Sequence, residues 1–97
     1  MIEQSLTLPC GHSVPNRLCK SAMTEGLADA HDHATAAHQR LYSTWARGAA
    51  AILMSGNIMI DLRYLERSGN VVVEGDSGLP QLRAWAQTVH DGGSQLW

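Results

Sequence analysis

The run Ala50-Ala51-Ile52-Leu53-Met54 is continuously apolar, as a strand buried on both faces should be, and Gly56-Asn57 breaks it. What flanks this run restricts the fold further. Between Asp32 and Gly48 the apolar positions Leu41, Tyr42, Trp45, Ala46 and Ala49 recur at intervals of one, three and four, the period of an amphipathic helix. Asp32 or Thr35 is suited to cap its start and Gly48 to end it. A second helix is signalled by Asp76 or Ser77 as cap, Pro80 in the first turn, Leu82, Trp85, Ala86 and Val89 on one face, and Gly92-Gly93 as the stop. Asn16 to Met23 reads as an earlier strand ended by Thr24-Glu25-Gly26, and Ser94-Gln95-Leu96-Trp97 opens a later one. The order strand, helix, strand, helix, strand predicts an α/β protein with parallel strands and right-handed crossovers.

Ahead of this pattern, Leu6-Thr7-Leu8, the turn residues Pro9-Cys10-Gly11-His12 and Ser13-Val14-Pro15 form a predicted hairpin. Lys20 interrupts the first strand of the repeating part and needs a partner or a route to water, because an unpaired buried ammonium is costly. The segment 58–78 is out of proportion, since connections longer than about 12 to 15 residues are usually functional or disordered. Within it, Val71-Val72-Val73 reads as a short extra strand.

Seven basic and nine acidic residues give a formal net charge of −2 with no basic stripe, which argues against nucleic acid as a partner. No apolar run approaches the roughly 20 residues needed to span a bilayer, and Met1-Ile2-Glu3-Gln4-Ser5 lacks the pattern of a signal peptide. A cytoplasmic location without membrane contact is the resulting expectation. Cys10 and Cys19 follow no zinc or redox spacing and read as free thiols.

In strand-then-helix units, Met23-Thr24-Glu25-Gly26 and Gly56-Asn57 both fall at carboxyl ends of strands, the face where barrel enzymes build their sites. By spacing alone, Thr24 is equally a loop hydroxyl and Gly56 a turn residue. Glu25, a lone loop carboxylate, reads as solvated rather than as a general base. His31-x-His33 with His38 lacks a fourth ligand at useful spacing, so no metal site is expected and a solvated helix entry accounts for the histidines. Arg63, Glu66 and Arg67 read as a solvated charged face, and Trp45 and Trp85 as core residues.

The stretch Asn16-Arg17-Leu18-Cys19-Lys20-Ser21-Ala22-Met23-Thr24-Glu25-Gly26-Leu27, together with Trp45-Ala46-Arg47-Gly48, Ile52-Leu53-Met54-Ser55-Gly56-Asn57 and Arg63-Tyr64-Leu65-Glu66-Arg67, resembles the old yellow enzyme family of FMN-dependent NAD(P)H oxidoreductases. The resemblance covers nearly the whole chain. It implies the N-terminal part of a (β/α)8 TIM barrel, made of a preceding β-hairpin (residues 1–15), about two βα units and the start of a third strand (residues 16–97). A complete barrel typically needs about 250 residues.

The resemblance further implies that Ser21, Ala22, Met23 and Thr24 line the flavin, with the Thr24 hydroxyl near the C4 carbonyl. Gly56 would stand beside the ring edge, where a larger side chain would collide with the cofactor. Hydride would pass from NADH or NADPH through FMN to a small electrophilic acceptor such as an activated alkene. Two departures stand out: Ala49 and Ala51 occupy places where relatives often carry glycine, and Gln95 is out of register for the family's flavin-contacting glutamine. The family's catalytic and phosphate-binding residues belong to later strands, so no catalytic residue is assigned and weak or no FMN binding by this piece is expected. A rival expectation is a non-catalytic α/β module whose open strand edges lead to self-association or partner binding.

Overall fold

The computed structural model describes residues 1–97. Strands β1 (Leu6–Thr7) and β2 (Ser13–Val14) pair antiparallel, Leu6 opposite Val14, as the hairpin ahead of the repeating part. Then follow β3 (Cys19–Lys20), helix α1 (Ala36–Ala46), β4 (Ile52–Leu53), β5 (Ile58–Met59), β6 (Val71–Val72), helix α2 (Leu79–Asp91) and β7 (Gln95–Leu96). The three strands linked by helices form one parallel sheet in the order β3-β4-β7, with Cys19 opposite Ile52 and Ile52 opposite Gln95. All three therefore end on the same side of the molecule.

The regular strands are much shorter than the sequence suggests. At the entrance to β3, the Asn16 side chain replaces backbone pairing: its Oδ1 accepts from the Leu18 and Ala51 amides, and its Nδ2 donates to the Ala49 carbonyl at 2.7 Å. Beyond β3 one more ladder bond, from the Met54 amide to the Lys20 carbonyl, closes the pairing before Ser21–Thr24 runs free. The expectation that residues 50–54 are buried on both faces also fails. Ala51 and Leu53 are buried, Ile52 is half-buried and Met54 is exposed, because successive side chains point to opposite faces and the helices cover only one of them.

The covered face carries the core of Ala34, Tyr42, Ala46, Leu53, Val71, Trp85 and Val89. Trp85 is its centre, 4.6 Å from the His38 ring and 5.0 Å from Tyr42 in an edge-on arrangement. Ala86, expected on the buried face of α2, is exposed. The radius of gyration is 14.1 Å, compared with about 13 Å for a compact domain of some 100 residues. The excess fits a sheet covered on one side, with β3 and β7 as its outer strands.

Helix ends differ in detail from the sequence reading. Thr35, not Asp32, caps α1, and its amide donates to His38 Nδ1 at 3.1 Å, so His38 takes the place a Glu or Gln usually holds in a capping box. His38 is thus buried rather than solvated. Burial against Trp85 holds its pKa below the ordinary imidazole value, which keeps Nδ1 available as an acceptor. Gly78, rather than Asp76 or Ser77, caps α2, because the Ser77 hydroxyl is engaged with His33 Nε2 at 3.2 Å. After α2, Gly93 adopts φ +93°, which permits the sharp return into β7, and buried Ser94 donates to the Ala50 carbonyl at 2.5 Å.

Ala49 lies beyond the end of α1, exposed, with φ +69°. Its methyl is not crowded; its backbone is strained. A left-handed L-residue costs roughly 1–2 kcal/mol, partly offset by the chain entropy a glycine would lose, so Ala49→Gly should stabilise the fold by about 0.5–1 kcal/mol. Urea denaturation measures this, and a lowered midpoint would contradict it.

The segment 58–78 is ordered by a parallel ladder of its own, Ile58 opposite Val71 and Met59 opposite Val72. It is also stitched to the loop after β3: the Ala28 amide donates to the Gly69 carbonyl at 3.0 Å and the Val72 amide to the Asp32 carbonyl at 2.9 Å. Arg63 pairs with Asp61 and Arg67 with Glu66, all within the segment and on its surface. Exposed pairs of this kind contribute little to stability.

Candidate functional site

Because β3, β4 and β7 are parallel, the segments that leave them, 21–25, 54–56 and Trp97, gather at one end of the sheet. Ser21, Ala22 and Met23 are exposed there, Met23 at 50% of its full surface, and Thr24 is half-buried. Met54 and Trp97 are exposed at the same end. A shelf of small, apolar and hydroxyl-bearing residues results.

Gly56 is buried directly beneath the first of these segments. A Cβ added there would overlap the Met23 carbonyl oxygen and the Glu25 carboxylate. The two halves of the site expected from sequence are therefore in contact. The chain's own backbone and carboxylate thus already require glycine here, apart from any clearance for a cofactor.

Glu25 is the residue whose role the sequence did not reveal. Instead of being solvated, its Oε1 accepts hydrogen bonds from the Tyr42 hydroxyl and from the Gly56 amide, the latter at 2.9 Å. Tyr42 is fully buried on the inner face of α1. Burial first, and then the hydrogen bond and charge of Glu25, push its phenol pKa well above the ordinary value, so the hydroxyl remains a donor.

Lys20 completes the arrangement. Its Nζ donates to the Met54 carbonyl at 2.6 Å and to the Tyr42 hydroxyl at 3.3 Å, and lies 4.7 Å from the Trp45 ring centroid. These contacts answer the requirement for a partner that its position in a strand created. Desolvation lowers the Lys20 pKa from its usual value, and the neighbouring Glu25 carboxylate opposes that shift. The awkward lysine was the one signal in the sequence that a buried polar network had to exist here.

The histidines do not converge. No group of three or more His, Cys, Asp or Glu side chains stands close enough to hold a metal ion. His31 and His33 line a shallow cavity of about 270 Å³ with Leu62, Val72, Glu74 and Ser77. Asp29 Oδ1 accepts from the His31 and His33 amides, and those bonds hold its carboxyl below the usual range.

No protein-family model matches the chain. Among curated proteins, it is 30% identical over 93 residues to the NADH-dependent flavin oxidoreductase iliE of Hypocrea jecorina (strain QM6a), covering 92% of this chain and 23% of that protein. It is 29% identical over 89 residues to the NADH-dependent flavin oxidoreductase iccE of Talaromyces variabilis, covering 88% and 22% respectively. Among solved structures, the old yellow enzyme homologue from Zymomonas mobilis superposes with a TM-score of 0.85 at 19% identity, over 99% of this chain and 26% of that one. Morphinone reductase superposes with a TM-score of 0.84 at 18% identity, over 98% and 24%. The chain thus spans about a quarter of the length of the proteins it matches. In sequence the chain is thus similar to part of the NADH-dependent flavin oxidoreductases, and its fold is that of part of the α/β barrel of old yellow enzymes.

Proposed function

We propose that residues 1–97 form the flavin-cradling part of an FMN-dependent NAD(P)H oxidoreductase, with 1–15 as the hairpin and 16–97 as the first βα units. The observation that carries this reading is the exposed Ser21–Thr24 shelf held against Gly56 at the carboxyl ends of parallel strands. The residues present suit a flat tricycle with polar edges. Ala22 and Met23 offer apolar contact, Gly56 keeps the second strand end low, and the Thr24 hydroxyl is suited to donate to a ring carbonyl. When bound, FMN supplies the transfer of hydride from NADH or NADPH to a small electrophilic acceptor such as an activated alkene. Ser21 to Thr24 and Gly56 would hold and orient the ring for that step, and a hydrogen bond from Thr24 would favour electron density on the reduced ring. The related proteins named NADH-dependent flavin oxidoreductases support this assignment.

A cytoplasmic setting accompanies the proposal, supported by Cys10 and Cys19, which are free and exposed. No helix is long and apolar enough to cross a membrane. The second reading, a self-associating or partner-binding α/β module, is favoured by the outer strands β3 and β7 of the parallel sheet.

Flavin titration of the 97-residue chain, followed by absorbance and fluorescence, tests the first reading. The expected result is weak, saturable binding with a shifted spectrum. Riboflavin should bind within about twofold of FMN, because barrel phosphate sites are commonly built after strands seven and eight. Thr24→Ala should weaken binding about threefold to tenfold, the effect of one hydrogen bond. A folded chain that leaves the flavin spectrum unchanged at millimolar FMN would remove the cradle from this segment.

A further inference from the structure

One carboxylate oxygen holds together the two strand ends that the proposed function uses. Glu25 follows the Ser21–Thr24 shelf directly, and its Oε1 accepts from the Gly56 amide beyond β4 and from the Tyr42 hydroxyl on α1. Tyr42 is itself fixed by burial, by its edge-on contact with Trp85 and by Lys20 Nζ, which also donates to the Met54 carbonyl two residues before Gly56. We propose that Glu25 is a positioning residue: it sets the height and separation of the Met23–Thr24 and Gly56 backbones, and so the shape of the shelf that receives a flat ring.

Three features support this over other uses of a carboxylate. Glu25 is half-buried and turned toward the sheet, so it is badly placed to abstract a proton from a substrate on the exposed side of Met23. Both hydrogen bonds converge on the same oxygen, so the geometry needs an acceptor at one point rather than two oxygens. The close approach at Gly56 brings that amide within reach of the carboxylate, and a side chain there would displace both the Met23 carbonyl and Glu25. Glutamine retains a carbonyl oxygen for both donors, whereas alanine retains none.

The inference rests on the flavin reading for its functional consequence but not for its geometry, and the test separates the two. Hydrogen exchange of the Gly56 amide, resolved by NMR on the 97-residue chain without flavin, should be accelerated at least about tenfold in Glu25→Ala, the loss of one buried acceptor, and stay near wild type in Glu25→Gln. Tyr42→Phe keeps the ring packing, removes only the hydroxyl, and should give a smaller acceleration. It carries the test if the alanine variant does not fold. In parallel titrations, riboflavin affinity should fall about tenfold in Glu25→Ala and remain within about threefold of wild type in Glu25→Gln. A glutamine variant as damaged as the alanine one in exchange and affinity would overturn the single-oxygen role. An unchanged Gly56 amide in Glu25→Ala and Tyr42→Phe would overturn the clamp itself. A wild-type chain that binds no flavin, yet shows the exchange pattern, would retain the clamp and reject only the flavin reading.

Discussion

Trp85→Ala is expected to bring the chain to the edge of unfolding, with the largest stability loss of any single substitution in the core. Trp85, on α2, is 1% exposed and packs against two buried rings of α1, His38 at 4.6 Å and Tyr42 at 5.0 Å between centroids. Removing a buried tryptophan costs about 3–5 kcal/mol, because the neighbours close only part of the cavity. A chain of this size has roughly 5–15 kcal/mol in total, and a sheet covered on one face belongs near the lower end. Here the neighbours are poorly able to follow. Tyr42 is tied through its hydroxyl to Glu25 and Lys20, and His38 through Nδ1 to the Thr35 amide. Circular dichroism across a urea series gives the measurement, with Trp45 and Trp97 remaining as fluorescence probes. A midpoint close to that of wild type would show that the α1–α2 contact does not govern stability.

Gly56→Ala should be the most damaging conservative change at the strand ends. One methyl has to displace the Met23 carbonyl or the Glu25 carboxylate, and overpacking of this kind typically costs about 1–3 kcal/mol. The loss should be present in the absence of any flavin, because the obstruction lies within the chain. That separates the structural role of Gly56 from simple clearance for a cofactor. If urea denaturation without flavin gives identical curves for wild type and Gly56→Ala, while flavin affinity falls, the methyl faces the ligand and the intrachain collision is wrong. If both fall together, the shelf and the fold share this position.

The parts of the fold that repeat with a physical period were legible in the sequence. The helical spacing of Leu41, Tyr42 and Trp45, the apolar stripe of Leu82, Trp85 and Val89, and the apolar run after Ala50 predicted α1, α2 and β4 in their correct order. Parallel pairing then followed from chain order alone. Strand lengths were not legible, because Asn16 satisfies by side chain what a longer β3 would satisfy by backbone, and nothing in its identity announces this. The cap of α2 was misassigned for a similar reason: Ser77 has the right chemistry but a competing partner 44 positions away in His33.

At the candidate site, the resemblance singled out Ser21–Thr24 and Gly56, which the fold brings together, whereas the network beneath them was not legible. Glu25, Tyr42 and Lys20 each have an ordinary local explanation as a loop acid, a helix-face aromatic and an awkward strand lysine. Only the crossover that returns α1 over β3 and β4 brings them together. His38 shows the same limit in the opposite direction. It stood in a suggestive trio with His31 and His33, but tertiary burial turned it into a capping acceptor beneath Trp85.

The stitching of segment 58–78 bears on how this region can diversify. The β5–β6 ladder ties its two limbs to each other, and backbone bonds at Gly69 and Val72 tie the second limb to the loop after β3. A change in length near either end would break pairing in two places at once. Residues 60–65 take no part in that pairing, and Ile60 and Tyr64 within them are 84% and 70% exposed. Changes of length or sequence are therefore expected to be tolerated best at this apex, whereas Glu66 and Arg67, bonded to buried Asn70, tie the returning limb to the strand ends below.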